Sequence, residues 1–336
     1  MSQLIIPKDY CPILYPMETQ RAIKKIKDYF QEELAYGLKL RRVSAPLIVL
    51  PESGLNDDLN GYERRVGFTI KGMEEHSAEI VQSLAKWKRY ALGKYGIETG
   101  RGIYTDMNAI RRDEELDNIH SIYVDQWDWE KSITREQRTR DYLHETVVTI
   151  YNSIRNLSDF VNRHYTEIRN EIPNQITFIT SQELEDRFPE LSPKQREAEI
   201  SREYGAVFIE QIGKKLRSGK PHDGRAPDYD DWELNGDIIL WNELLQIPFE
   251  LSSMGIRVDA QAMERQLDLA GALERRNLPF HQAVLQDELP LSIGGGIGQS
   301  RLCMFFLKKA HIGEVQASIW PKDMIDACRA GGIELL

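Results

Sequence analysis

The sequence predicts an α+β fold in which a mainly antiparallel sheet is flanked by helices. The chain has 336 residues, of which 41% are hydrophobic and 29% are charged, a composition typical of a globular protein. Segments with strand character follow one another closely in the middle and C-terminal parts, as they do in hairpins. Segments with helical periodicity lie between and beyond them, which indicates helices packed against the sheet.

The N-terminal part begins with a predicted helix over residues 18–36, in which apolar residues recur at helical spacing before Gly37 stops it. Residues 40–50 are predicted to form a strand that Pro46 interrupts. A second helix is predicted over residues 83–94.

A long-looped antiparallel hairpin comes next. Its predicted strands span residues 103–111 and 120–127, and a highly charged loop, residues 112–117, lies between them. The pattern over residues 134–169 is typical of a long helix.

The remainder of the chain alternates short strands with helices. The predicted strands 176–180 and 206–210 have helices between them. Two further strands are predicted over residues 237–241 and 249–258. Three more helices are predicted, the last of them in the core: 260–270, 278–286 and 301–307.

Charge and composition exclude several classes of protein. The formal net charge of −10 argues against a nucleic-acid-binding surface, which needs a basic face. The N-terminus lacks the pattern of a signal peptide, and the apolar runs are too short to cross a bilayer. The three cysteines, Cys11, Cys303 and Cys328, are far apart and fit reduced thiols. We therefore expect a cytoplasmic protein with no nucleic-acid or membrane partner.

Residues 294–301, with the sequence GGGIGQSR, are the most informative stretch of the chain. Glycines let a backbone approach a ligand closely and adopt positive φ, and a helix N-terminus behind them suits an anion. The pattern matches neither the dinucleotide fingerprint nor a P-loop. Arg301 could instead lie over a purine or pair with a phosphate. The alternative is an ordinary glycine turn followed by a solvated arginine.

Two further segments place polar residues where a core segment should be apolar. In residues 123–130, alternation puts Val124, Gln126 and Asp128 on one face of a strand and two tryptophans on the other. Residues 225–232 gather three carboxylates in a loop marked by proline. The alternatives are an amphipathic strand with its polar face in water and a solvated acidic turn.

Four charged residues complete the candidate site. Asp237 and Glu250 lie on neighbouring predicted strands, where two carboxylates beside a nucleotide could hold Mg²⁺. Arg257 could clamp a carboxylate with both nitrogens, and Lys88 could do the same from a helix. A plain surface lysine is the alternative for Lys88.

Taken in order, three segments resemble the three motifs of class II aminoacyl-tRNA synthetases. Residues 38–51 resemble motif 1, which builds the dimer interface in that superfamily. Residues 111–114 with strand 123–130 resemble motif 2, and residues 294–301 resemble motif 3, whose arginine contacts ATP.

A longer resemblance is to the ammonia-dependent asparagine synthetases, the type A aspartate–ammonia ligases, which are built on that synthetase core. It covers nearly the whole chain after Tyr15 and is carried by five strings: 83–89, 123–130, 225–232, 249–259 and 294–301. The segment through Tyr15 has no recognised counterpart, and residues 232–235 form only a short link. The resemblance implies an N-terminal extension, 1–15, and one catalytic domain, 16–336.

The resemblance implies a two-step ligation of L-aspartate and ammonia, with ATP and Mg²⁺, through β-aspartyl adenylate. Arg111 would hold the α-phosphate and Arg301 the adenine or γ-phosphate, with Val124 and Gly296 in the same nucleotide site. Asp237 and Glu250 would carry Mg²⁺. The aspartate carboxylates would be bound by five side chains: Ser83, Lys88, Gln126, Ser253 and Arg257. Asp57 and Asp230 would face the ammonium group of aspartate or the incoming ammonia, and one of the two would deprotonate ammonium.

Two other functions stay open at this point. An aminoacyl-tRNA synthetase or a free-standing relative would need an anticodon-binding domain or a basic stripe, and the sequence shows neither. A catalytically silent sensor of amino acid or nucleotide would be expected to lack the arginines and carboxylates that this chain retains. Glutamine is not expected as the nitrogen donor because no cysteine has an activating pattern. A homodimer through residues 38–51 is expected.

Overall fold

The computed structural model of the protein describes residues 4–57, 59, 63–73 and 76–336. Its α-helices are α1 Pro16–Leu38, α2 Ala85–Lys94, α3 Arg140–His164, α4 Ser181–Arg187, α5 Pro193–Tyr204, α6 Ala260–Leu269, α7 Pro279–Leu285, α8 Gln299–Phe306 and α9 Lys322–Ala330. Its strands are β1 Leu40–Arg42, β2 Ile48–Val49, β3 Val66–Thr69, β4 Ser77–Ile80, β5 Gly102–Ile110, β6 Tyr123–Ser132, β7 Thr177–Thr180, β8 Ala206–Glu210, β9 Asp230–Asn242, β10 Ile247–Arg257 and β11 Ser292–Gly298.

Most of the strands join one large sheet. Within the described residues it has eight strands in the order β1-β5-β6-β11-β10-β9-β8-β7, and a small sheet has the order β2-β4-β3. The long central strands β5, β6, β11, β10 and β9 pair antiparallel, whereas the outer pairs β1/β5 and β7/β8 are parallel. The predicted α+β class with a mainly antiparallel sheet is confirmed.

The two faces of the large sheet have different characters because side chains alternate along each strand. One face packs against α1, α3 and α8 and buries Trp127 and Trp129 completely beside Phe30 of α1. Burying each such side chain stabilises the fold by roughly 1.5–3 kcal/mol. The opposite face of the central strands carries glycines and polar groups, and this is where the candidate site lies.

Several predicted element bounds are wrong. Residues 40–50 form two short strands in different sheets, and residues 232–235 are not a link because they lie within the long strand β9. Helix α3 begins only at Arg140, since Thr139 adopts an extended backbone and its side chain accepts a hydrogen bond from the Tyr142 N–H. The hairpin of β5 and β6 is confirmed, although β6 begins at Tyr123.

Helix α9 follows α8, which therefore is not the last helix of the chain. None of the helices in the described ranges is long and apolar enough to cross a membrane. The three cysteines are free thiols; Cys303 and Cys328 are buried and Cys11 is exposed. Of the predicted N-terminal extension, residues 1–3 lie outside the described residues.

Candidate active site

A cleft of about 410 Å³ opens on the polar face of the large sheet. Its floor is formed by β6, β11 and β10, and one wall is formed by the long loop between β5 and β6. More than half of the sequence-predicted site residues line this cleft: Arg111, Val124, Gln126, Glu250, Ser253, Gly296 and Arg301. The strand alternation that put Val124 and Gln126 on one face and the tryptophans on the other is therefore confirmed.

The glycines at 294–298 lie in an extended strand, and none of them has a positive φ. The expectation of a left-handed backbone there does not hold. Gly296 lies opposite Asp128 in the register of β11 and β6. A β-carbon at Gly296 would overlap the amide oxygen of Gln126 and crowd the Asp128 carboxylate. This glycine therefore makes room for the polar side chains of the neighbouring strand.

Gly294 has a related role for a buried ion pair. Arg257 on β10 reaches across β11 to Glu130 on β6, with its Nε 2.9 Å from Oε1 and its Nη2 2.7 Å from Oε2. A β-carbon at Gly294 would occupy the position of this pair. Ser292 also donates to Glu130, at 2.7 Å. Although burial raises the pKa of Glu130, the Arg257 guanidinium brings it below its ordinary value.

Arg301 stands in the first turn of α8 and is held by the cleft wall. Its Nη1 donates to the Glu250 carbonyl oxygen at 3.1 Å and lies 3.6 Å from the Glu250 carboxylate. Its Nε donates to the Ile119 carbonyl oxygen at 3.4 Å. The side chain is only 20% exposed, so a solvated arginine after a glycine turn is excluded.

The N-terminus of α8 is capped within the protein. The Asp125 carboxylate accepts hydrogen bonds from the Ser300 N–H at 3.0 Å and from its hydroxyl at 2.8 Å. Lys27 of α1 lies 3.0 Å from the same carboxylate. An acidic group at a helix N-terminus is favourable, and here it fixes the residue that precedes Arg301.

Arg111 lies at the start of the loop between β5 and β6. Its Nε is 3.5 Å from the Gln82 carbonyl oxygen, and its Nη1 is 3.8 Å from Glu114. Both contacts are long, and the side chain remains 24% exposed at the cleft. Its guanidinium is therefore able to turn toward an anion.

Asp237 and Glu250 lie on one face of adjacent strands, because Ser253 and Ile239 are their respective partners across β9 and β10. Arg225 forms an ion pair with Oδ2 of Asp237. Oδ1 of Asp237 is buried and has no hydrogen-bond partner among the described residues. Burial raises the pKa of Asp237, although Arg225 acts against this.

This donor set fits a magnesium ion bound together with a nucleotide. Mg²⁺ is usually held by one or two carboxylates, with phosphate oxygens and water completing the octahedron. Asp237 and Glu250 supply two carboxylates; Glu250 lines the cleft, and Asp237 does not, its Oδ1 being buried without a hydrogen-bond partner among the described residues. In the described part of the chain, no three His, Cys, Asp or Glu side chains converge to form an all-protein metal site.

Lys88 lies behind the cleft floor and is not a surface lysine. Its Nζ is 2.9 Å from Oδ1 of Asp128 and 2.9 Å from the Gly295 carbonyl oxygen, and the side chain is 2% exposed. Burial lowers the pKa of Lys88. Arg257 is equally buried, pairing with Asp230 in addition to Glu130. Both cations therefore have protein carboxylates as partners here.

The remaining predicted residues also lie beside the cleft rather than in its lining. Asp57 is buried, its carbonyl oxygen accepts from Gln82 at 2.9 Å, and its charge raises the pKa of Tyr229, a cleft residue whose pKa burial already raises. The Ser83 hydroxyl accepts from the Ala85 N–H at 3.1 Å, just before helix α2. Asp230 contacts Arg257, as described above.

The segment 225–232 is buried, so a solvated acidic turn is excluded. Oδ2 of Asp228 receives Lys86 Nζ at 3.0 Å, His281 Nε2 at 3.0 Å and Arg275 Nη1 at 3.1 Å. Burial raises the pKa of Asp228, but the Lys86 ammonium group, the hydrogen bond from His281 and the Arg275 guanidinium hold it far below its ordinary value. The cluster fixes the segment at the edge of the cleft.

Among the cleft-lining residues that sequence reasoning did not select are Arg225 and His120. Both Asp117 oxygens lie 2.9 Å from Nδ1 of His120. Arg225 is the first residue of the string 225–232, which carried part of the family resemblance. Its place in that string was the sequence signal that could have identified it as a site residue. Its partner Asp237 is twelve residues away, and only the pairing of β9 with the preceding loop brings the two together.

Comparison with known proteins places these residues in a family. The family model for aspartate–ammonia ligase matches residues 17–332. The chain is 59% identical over 336 residues to an aspartate–ammonia ligase of Clostridium perfringens (strain 13 / Type A), covering 100% of both chains. It is 57% identical over 333 residues to the protein of that name from Levilactobacillus brevis, covering 99% of each chain.

Solved structures with a similar fold are aminoacyl-tRNA synthetases. The asparaginyl-tRNA synthetase of Pyrococcus horikoshii, complexed with asparaginyl-adenylate, matches 90% of this chain and 70% of its own, with a TM-score of 0.65 and 13% identity. The Entamoeba histolytica asparaginyl-tRNA synthetase matches 90% of this chain and 66% of its own, with a TM-score of 0.62 and 13% identity. The class II synthetase-like catalytic fold predicted from the motifs is confirmed.

Proposed function

Because the chain belongs to the aspartate–ammonia ligase family, we propose that it joins ammonia to the side-chain carboxyl group of L-aspartate and forms L-asparagine with the use of ATP. The family match over the full chain carries this proposal, since both relatives compared above have that name. The cleft supports it with arginines beside a row of carboxylates on the face that bears the glycine strand. Full-length ligase relatives do not favour a tRNA-charging role.

The proposed reaction has two steps. The β-carboxylate oxygen of aspartate attacks the α-phosphorus of ATP, the bond to pyrophosphate breaks, and β-aspartyl adenylate forms. Ammonia then attacks the acyl carbon, the carbon–oxygen bond breaks, and asparagine and AMP are released. The fold shared with a synthetase solved with an aminoacyl-adenylate supports an adenylate intermediate. Such chemistry depends mainly on alignment and charge neutralisation.

For the nucleotide, we propose that Arg111 binds the α-phosphate and that Arg301 contacts the adenine or the γ-phosphate. Among the described residues, the Arg111 guanidinium makes only long contacts, at 3.5 and 3.8 Å, whereas Arg301 is held in one orientation. Val124 and Gly296 lie on the cleft floor and would contact the nucleotide directly. The fixed Arg301 guanidinium needs no reorganisation when negative charge develops.

Asp237 and Glu250 would hold Mg²⁺, which supplies charge neutralisation at the phosphates when bound. The cleft lining supports a metal–nucleotide complex rather than free ATP because its carboxylates outnumber its arginines, and a bare polyphosphate would be repelled. Arg225 pairs with Asp237 in this structure and must yield or share that carboxylate.

For aspartate, Gln126 and Ser253 are in the cleft lining and would contact the amino acid directly. Lys88 and Arg257 lie one layer deeper, and each would grip a substrate carboxylate by exchanging or sharing a protein carboxylate partner. Ser83, at the start of the same helix as Lys88, belongs to this proposed group. Replacing either cation should therefore affect aspartate use more than ATP use.

Asp57 and Asp230 are the proposed groups facing the ammonium of aspartate or the incoming ammonia. Ammonium has no lone pair, so a nearby carboxylate must accept a proton before attack. Asp230 already pairs with Arg257, whereas the charge of Asp57 acts on Tyr229, whose pKa it raises. Cytoplasmic activity as a homodimer through residues 38–51 remains part of the proposal.

Isotope transfer tests the chemistry directly. The protein is incubated with ATP, Mg²⁺, ¹⁵N-ammonium and aspartate whose β-carboxylate carries ¹⁸O, and the products are analysed by mass spectrometry. We expect ¹⁵N-asparagine, pyrophosphate and AMP containing one ¹⁸O, since the carboxylate oxygen leaves with the phosphorus. ADP with phosphate would exclude the adenylate, and aspartate left unchanged would contradict the ligase function.

A further inference from the structure

The N-terminal strap, defined as residues 4–14, pairs with a side chain in the cleft wall. The Ile5 N–H donates to Oδ1 of Asn118 at 2.7 Å, and Nδ2 of Asn118 donates to the Ile5 carbonyl oxygen at 2.8 Å. The Asn118 side-chain amide thus bonds both backbone polar groups of Ile5, as a neighbouring β-strand would. Nδ2 also donates to the Ala310 carbonyl oxygen at 2.7 Å, and Asn118 is 2% exposed.

Asn118 belongs to a tight turn, residues 117–120, that forms part of the cleft lining. Oδ1 of Asp117 accepts the N–H groups of Ile119 and His120, both at 2.8 Å. Ile119 and His120 line the cleft, and the Ile119 carbonyl oxygen accepts from Arg301. A continuous set of hydrogen bonds therefore leads from the strap through this turn to the arginine at the start of α8.

The strap is anchored along its length on the C-terminal part of the chain. The Tyr10 hydroxyl donates to the Glu314 carboxylate at 2.9 Å, and Lys309 Nζ donates to the Leu14 carbonyl oxygen at 2.7 Å. Ile312 donates its N–H to the Asn118 carbonyl oxygen at 2.7 Å, which ties the same turn to the same C-terminal segment. The 117–120 turn is thus held between two anchored segments.

We propose that the strap and Asn118 position the nucleotide-binding wall of the cleft, so that Ile119, His120 and Arg301 are set for ATP before it arrives. This inference rests on the proposed function, because it assigns the ligand of that wall. Asn118 is a positioning residue, since it acts through Ile119 and touches no substrate. Backbone hydrogen bonds that hold a binding loop in its bound shape reduce the ordering cost of binding.

Proline at position 5 provides a selective test, because proline has no N–H to donate to Asn118. The matched control is Lys8→Pro. Lys8 occupies the second position of the turn closed by the Tyr10 N–H and the Pro7 carbonyl oxygen, a position that proline favours. Asn118→Ala removes the same hydrogen bond from the other side, together with those that Asn118 donates to the Ile5 and Ala310 carbonyl oxygens. An Ile5→Pro/Asn118→Ala double variant completes the cycle.

The readouts are ATP–Mg²⁺ affinity by calorimetry, steady-state kinetics and amide hydrogen exchange. We expect Ile5→Pro and Asn118→Ala to weaken ATP binding by about three- to tenfold, the effect of losing one or two neutral hydrogen bonds. Lys8→Pro should stay within about twofold of the parent. In steady-state kinetics the KM for ATP should increase in Ile5→Pro and Asn118→Ala, while the KM for aspartate and kcat stay unchanged. Amide hydrogen exchange of residues 117–120 should become faster.

The double variant should bind ATP no more weakly than Asn118→Ala, since Asn118→Ala already removes the hydrogen bond that Ile5→Pro breaks. If the parent binds ATP and both single variants bind it equally well, the inference is overturned. A loss of kcat alone, from fewer folded molecules, would also overturn it. Failure of the parent to bind ATP would instead contradict the proposed function. If Ile5→Pro does not fold, the ATP affinity and the steady-state kinetics of Asn118→Ala test the inference.

Discussion

Lys88→Met removes a buried positive charge and should destabilise the protein strongly. The ammonium group lies 2.9 Å from Asp128, and the two side chains are 2% and 5% exposed. Methionine fills a similar volume, so the cavity term is small. What remains is a buried carboxylate with no compensating cation, and breaking a buried pair in this way costs about 3–5 kcal/mol.

Replacing the partner carboxylate should reduce the free energy of unfolding less than Lys88→Met does. In Asp128→Asn the neutral amide still fills the site, and the Gly295 carbonyl oxygen remains as an acceptor for the Lys88 ammonium group. We expect a loss of about 1–3 kcal/mol, the cost of leaving a buried polar group unsatisfied. The double variant should lose less than the sum of the two singles, with a coupling free energy of about 2–3 kcal/mol.

Urea titration followed by circular dichroism measures the free energy of unfolding of the four proteins at constant pH and salt. Lys94→Met, at the exposed C-terminal end of the same helix, is the control and should change stability by less than about 0.5 kcal/mol. If Lys88→Met cost less than about 1 kcal/mol, or if the two single effects were additive, the buried pair would not carry the proposed energy.

Three further predictions concern pH, packing and assembly. His311 accepts a hydrogen bond from the Gly313 N–H through Nδ1, and burial lowers its pKa to about 4, so its unfolded form takes up a proton between pH 6.5 and 4. Stability should therefore fall as pH drops through that window, by at most about 3 kcal/mol, and urea titrations of His311→Gln should lack this component. Gly294→Ala should destabilise the protein by about 1–3 kcal/mol, because the new methyl group displaces Glu130 from its ion pair; an unchanged melting temperature would contradict this. Light scattering should show a dimer that Leu47→Asp weakens, since Leu47 is an exposed apolar residue within 38–51; a fully active monomer would contradict it.

The elements that sequence reasoning placed well are those with strong local periodicity. Helix α1 and the β5/β6 hairpin lie close to their predicted positions because their apolar residues repeat at the spacing of the element itself. The error at residues 134–139 has a local cause. The Thr139 side chain caps the N-terminus of α3, so the helix begins only after it. The three-stranded small sheet was missed because its strands are only two to four residues long.

The sequence identified which residue types belong to the candidate site. It did not show which of them line the cleft and which are buried behind it. Arg257 and Lys88 were assigned to the substrate, yet both are buried in pairs with protein carboxylates. The glycine strand was interpreted as room for a ligand. The structure adds a second role: Gly294 leaves room for the Arg257–Glu130 pair, and Gly296, which lines the cleft, leaves room for Gln126.

By itself, the sequence determined the fold class, the helical and strand periodicities and the family, because these depend on short-range patterns and on strings of residues. The tertiary structure alone decided which charges meet. Arg257 and Glu130 are 127 positions apart, and Ile5 and Asn118 are 113 apart. Such pairs depend on sheet register and chain path, and a shift of one residue in register turns every side chain to the opposite face.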